Sequence, residues 1–203
     1  MIHINSITPP NHCKVGCFKL SSLVSALVLA ATAIPSASPS HAAILDNEML
    51  GDDLEIEFND GTAHDFEGID IDIKPSSAWD YYTVTATGAG TQLNIDGKTS
   101  FTSYTTGPEN QDGTYALYAE NGASINLRGD VDLHVTHTVT ANNGADGIYA
   151  SGSDADTGAR STINIGNADS KTVIWVLAPK PDAISAKGGA QVTINSTNCW
   201  LTP

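Results

Sequence analysis

Chemistry needs particular residue types at particular spacings, and few positions in this chain meet that demand. His134 and His137 lie three apart in an alternating stretch, so they point to opposite faces of a strand and cannot chelate one ion together. Asp70 and Asp72 do share a face, with Asp65 and Glu67 nearby, and oxygen-rich clusters of that kind suit Ca²⁺. No glycine-bearing calcium loop accompanies them, and a solvated acidic strand accounts for the pattern. Asp154 and Asp156 form a weaker pair of the same kind. The sequence has no Gly-x-Ser-x-Gly elbow, His-Glu-x-x-His helix or glycine-rich phosphate loop. No catalytic residue, metal ligand or cofactor is therefore expected. What remains is Arg128, Gly129 and Asp130, the tripeptide that many cell-surface ligands present to integrins. It is the one candidate cell-attachment site, and its residues are also those that a tight corner uses.

Six tyrosines, Tyr81, Tyr82, Tyr104, Tyr115, Tyr118 and Tyr149, could line an aromatic stripe for sugar or protein contact. Tyr118 and Tyr149 recur at equivalent places in a repeat, which assigns them first to packing. Asn195, Ser196 and Thr197 spell a glycosylation sequon that predicts little in an exported bacterial chain.

The elements that hold these residues follow from charge and periodicity. The 203 residues carry 23 acidic and 9 basic side chains, a formal net charge of −14, which disfavours nucleic acid as a partner. All the acids lie after residue 42, so the remainder carries 7 − 23 = −16. Residues 1–42 read as a signal peptide: a basic, acid-free start ending at Lys19, the apolar run LSSLVSALVLAATAI (20–34), and Ser40, His41, Ala42 as a cleavage pattern. A transmembrane anchor is the alternative, but the run is shorter than the roughly 20 apolar residues a span needs. Cys199 is the sole cysteine after residue 42, so the exported part has no internal disulfide and must fold by packing and backbone pairing.

Two phrases recur in a fixed order. One is TQLNI (91–95), SINL (124–127), STINI (161–165) and QVTI (191–194), whose last apolar residues are spaced 32, 38 and 29. The other is TVTA (83–86), ALYA (116–119), GIYA (147–150) and AISA (183–186), whose final alanines are spaced 33, 31 and 36. A Gly/Ala turn (TGAG, NGA, TGAR, GGA) joins them. The internal alternation has period two, as in Ile125 and Leu127 against Asn126, which means strand. Three short strands per repeat predict one rung of a parallel β-helix, with apolar residues stacked inward and Asn94, Asn126 and Asn164 stacked in an outer amide ladder. The long step is assigned to a polar loop insertion, SGSDADTGAR (151–160). The fold class expected is all-β, a parallel β-helix solenoid of about four irregular three-strand rungs over residues 81–203. LEIEF (54–58) and IDIDI (69–73) are expected as N-terminal cap strands within residues 43–80. An antiparallel sandwich is the alternative, on hairpin signals such as Asn121, Gly122 and Asn143, Gly144.

A long signal followed by a cysteine-poor, acidic array with phrases of the type YA-x-x-GA-x-INL resembles the passenger region of a Gram-negative autotransporter adhesin, with pertactin-like β-helix repeats. The resemblance covers about residues 80 to 195, through GTYALYAENGASINLRGDVDL, ADGIYASG, GARSTINIG and DAISAKGGAQVTIN. It implies a right-handed β-helix carried to the cell surface, usually through a C-terminal outer-membrane barrel of the same polypeptide, with a host surface protein or glycan as partner. The sequence departs from that pattern at STNCWLTP, beyond which no barrel strands follow. The expectation is an N-terminal passenger fragment, surface-displayed or secreted in full-length form and periplasmic or secreted as a fragment. It would be a non-catalytic stalk or adhesin. A free secreted β-helix is one alternative. A polysaccharide lyase or hydrolase is another, since right-handed β-helices include both, but the exported part has only Arg128 and Arg160 as arginines and its acids are scattered.

Overall fold

Among the described residues, period-two alternation becomes sixteen short strands that wind as successive coils. The first coil is β1 (Ile44–Asp46), β2 (Glu55–Phe58) and β3 (Ala63–Phe66), and the second is β4 (Gly68–Ser76), β5 (Thr83–Thr87) and β6 (Gln92–Ile95). The third comprises β7 (Thr99–Thr105), β8 (Thr114–Glu120) and β9 (Ser124–Leu127), and the fourth β10 (Val131–His137), β11 (Ala145–Ser151) and β12 (Thr162–Ile165). The fifth is β13 (Lys171–Leu177), β14 (Pro181–Lys187) and β15 (Gln191–Ile194), and β16 (Asn198–Thr202) opens a sixth. This computed structural model describes residues 43–50, 55–76, 83–105, 114–138, 145–178 and 181–202, all within the unit Pro39–Pro203. The expected signal peptide lies outside the described residues, as do Tyr81, Tyr82, Asn143 and Gly144.

Each strand pairs with its counterparts one coil away, giving three parallel sheets. Sheet A is β1-β4-β7-β10-β13-β16, sheet B is β2-β5-β8-β11-β14, and sheet C is β3-β6-β9-β12-β15. The protein is a parallel β-helix. Among the described residues the one antiparallel contact is an isolated bridge, Ser153 to Arg160, so a sandwich is ruled out. The acidic strands expected as the N-terminal cap pair in register with the coils that follow them: Ile56 with Val84, and Ile71 with Phe101. They lack the Gly/Ala phrase that marks later repeats, but their inward isoleucines obey the same period.

The core is a set of inward columns. Ala86, Ala119 and Ala150 are in register and buried in sheet B, and Ile95, Leu127 and Ile165 are in register and buried in sheet C. Phe101, Leu133 and Ile174 do the same in sheet A. Each such burial contributes roughly 1.5–3 kcal/mol before entropy, so stacking many coils supplies what one coil cannot. Phe58 and Phe66 pack against the core with ring centres 5.7 Å apart, and the His64 ring centre lies 4.7 Å from that of Phe58.

Corners need backbone that bends. Between sheets B and C it does so through positive φ, at Gly88 and Gly90, Asn121 and Gly122, Gly152, and Gly188 and Gly189. Gly88 N–H donates to Glu120 O and Gly152 N–H to Lys187 O, equivalent bonds two coils apart. Gly152 is thus the corner glycine of its coil, whereas the aligned TGAR glycine, Gly158, sits in the inserted loop that follows. Asp154 organises that loop by accepting from Thr157 N–H and Thr157 Oγ1, both at 2.7 Å.

Candidate functional site

Arg128, Gly129 and Asp130 form the corner between β9 of sheet C and β10 of sheet A. Arg128 N–H donates to Ile95 O at 2.8 Å, matching the Asp96 N–H to Phe66 O bond one coil earlier. The Arg128 guanidinium pairs with Asp96 of the preceding coil, and Asp130 Oδ1 accepts from Lys171 N–H of the next at 2.8 Å. Gly129 stacks on Gly97 so closely that a Cβ on it would stand 2.2 Å from Gly97 O. The tripeptide is exposed at its two ends and backbone-packed at its centre, and both charged side chains are engaged by neighbouring coils.

The outer face of sheet A carries a different constellation. One column reads Asp46, Asp70, Ser100, Asp132, Val173, Trp200, and the next reads Asp72, Thr102, His134, Trp175, Thr202. Register places each residue one strand spacing, about 4.8 Å, from the next. The carboxylates of Asp46, Asp70 and Asp72, the hydroxyls of Ser100 and Thr102 and the Asp132, His134 pair precede the indoles along the face. His134 Nε2 donates to Asp132 Oδ1 at 2.9 Å, and its ring lies 5.7 Å from Trp175. An open depression of about 510 Å³ lies at the aromatic end, lined by His134, Lys171, Val173, Trp175, Trp200 and Thr202. A second, of about 280 Å³, lies at the acidic end, where Asp70 and Ser100 meet Lys98 and Ile44. Trp200 is 67% exposed on the terminal strand.

Trp200 lies in STNCWLTP, where the repeat phrases stop, so the repeat does not point to it. The signal that finds this face is the alternation in TVIWV (172–176), where Thr172, Ile174 and Val176 turn inward and Val173 and Trp175 outward.

On sheet B the alternation slips. Ala116 and Leu117 are both buried, as are Gly147 and Ile148, so Tyr115 comes to the same outer side as Tyr118. Tyr115, Tyr118 and Tyr149 then form one cluster with ring centres 4.8–5.5 Å apart, and Lys187 Nζ lies 5.0 Å from the Tyr149 ring centre. Tyr118 O–H donates to Glu120, and burial together with that bond raises its pKa. Asp146 sits in register between Tyr115 and Asp182 at 8% exposure. Burial, then repulsion from Asp182, pushes its carboxyl up to about 7, with Lys187 opposing. His134 is half-buried on the outer face and His137 is buried, with burial lowering its pKa. Among the described residues no group of three or more His, Cys, Asp or Glu side chains converges as a metal cage would. Comparison with family models, curated proteins and solved structures finds no match to this chain.

Proposed function

We propose that the chain is a non-catalytic β-helix passenger of the autotransporter type, displayed at the cell surface or secreted, that acts as a stalk or adhesin. The observation carrying this reading is that each YA-x-x-GA-x-INL phrase folds as two successive strands and the corner between them, stacked in register through the coils. Such a rod turns its apolar residues inward and leaves long, nearly flat faces and corner loops for contact with a partner. A host surface protein or glycan is the partner class. Folding without disulfides suits transport in an unfolded state, and Cys199 is free and exposed. The reading expects the coding DNA to continue beyond the Pro203 codon, in some frame, into further repeats and an outer-membrane barrel. Sequencing that flank, and probing intact cells that express the whole locus with an antibody to the β-helix, test it. Unrelated flanking sequence together with a β-helix that stays inside the cell would overturn it.

A further inference from the structure

We propose that the outer face of sheet A binds a linear neutral oligosaccharide along the solenoid axis, a ligand assignment that rests on the binding role proposed above. Indoles offer flat apolar surface with one polar edge, and Trp175 and Trp200 offer it beside a depression large enough for a sugar ring. The apolar C–H face of a pyranose stacks on such a surface while its hydroxyls reach outward. Along the same columns those hydroxyls meet Asp132, His134, Ser100 and Thr102, which together accept and donate hydrogen bonds at the strand repeat of about 4.8 Å. A second depression lies where Asp70 and Ser100 meet the corner residues Glu67 and Lys98 at the other end of the sheet.

Charge and backbone pairing decide between occupants. Asp46, Asp70, Asp72 and Asp132 lie on this face and outnumber Lys171 and Lys98 at its two depressions, and the chain is strongly acidic, so a uronate or sialate polymer is disfavoured. Strands β4, β7, β10 and β13 are paired on both sides, so a peptide adding as a strand could do so only at the edges β1 and β16 and not along the face itself. A second copy packed face to face would desolvate the four carboxylates against indoles or against each other, which is costly without cations.

The test titrates the tryptophan emission of the protein with cellohexaose, xylohexaose and chitohexaose, and with hexagalacturonate in parallel. Trp175 and Trp200 are two of the three tryptophans, so occupancy is read directly. The expected result is saturable binding of at least one neutral hexamer, weakened about tenfold or more by Trp200→Ala and by Asp132→Asn, with hexagalacturonate weaker still. Trp200 is mostly exposed, so its truncation leaves the core in place, and circular dichroism checks this. No neutral binding at millimolar concentration, affinity unchanged by Trp200→Ala, or equal binding of hexagalacturonate would overturn the proposal. So would a concentration-dependent dimer that Trp200→Ala dissolves. Chromatographic detection of cleaved hexamer would sink the non-catalytic reading while supporting the site.

Discussion

The Asn126 side chain donates its amide N–H to Asn94 Oδ1 at 2.9 Å, although 32 residues separate them in the chain. Asn164 donates to Asn126 at 2.8 Å and Asn94 to Asp65 at 2.9 Å, so one file of side chains fastens four coils on the outside of sheet C. Asn126→Ala removes both a donor and an acceptor and leaves two partners unmatched, for a loss of about 2 kcal/mol. Asn164→Ala leaves one unmatched and costs about half as much. Urea unfolding of the two variants measures the difference, and equal losses would count against the ladder as a linked series.

At the corner, Gly129→Ala forces a methyl against Gly97 O and is expected to destabilise by about 3 kcal/mol or fail to fold. Asp130→Glu leaves the backbone untouched and should shift the melting temperature little. Both charged side chains of the tripeptide are held by adjacent coils, so this variant is expected to attach to integrin-bearing cells as the parent does. Lost attachment with unchanged melting would instead establish recognition at Arg128, Gly129 and Asp130.

Asp146 gives stability a pH dependence whose sign is fixed by its raised carboxyl pKa. Between the unfolded value near 3.8 and the folded value of about 7, the folded chain holds a proton that the unfolded chain has released. Its contribution therefore favours folding at low pH and is lost as pH rises through that window, at most about 1.4 kcal/mol per pH unit. Asp146→Asn should become progressively more stable than the parent from pH 4 to pH 8, as read from urea midpoints. A gap independent of pH would refute the titration.

Two hydroxyls inside the solenoid, Thr99 Oγ1 and Ser103 Oγ, are buried without a hydrogen-bond partner. Thr99 sits in an inward column between Ile69 and Val131. Thr99→Val keeps the shape and removes the unmatched group, so a gain of about 1 kcal/mol is expected. A loss measured by thermal unfolding would mean that the hydroxyl has a partner.

Sheets B and C are legible in the sequence, because their strands repeat both an inward pattern and an outer Asn or Tyr. The recurring alanines 86, 119, 150 and 186 are in-register neighbours, as their spacing required. Sheet A was harder to read: VDLHV, TVIWV and CWLT share only the inward period, and their outer residues change from acid to indole along the sheet. Corner lengths also vary there, which hides the equivalence of Trp200 with Val173 and Asp132. The Gly158 misalignment has a similar origin, since an inserted loop with its own glycine competes with the true corner at Gly152. The raised pKa of Asp146 depends on a break in alternation at Gly147, a feature no repeat pattern announces.

The strict neighbour-to-neighbour pairing of coils also sets how the chain can reach its native state. Paired residues lie 24 positions apart at Ile44 and Gly68, and 41 apart at Val131 and Thr172, with the other sheet pairings in between. Each strand therefore finds its template one coil back, however long the whole rod becomes. A polypeptide released progressively from one end can add coils in order, each closing a loop of modest entropy before the next arrives. Growth of this kind makes assembly time rise with coil number rather than with the search of an entire chain, and gives the advancing edge a direction.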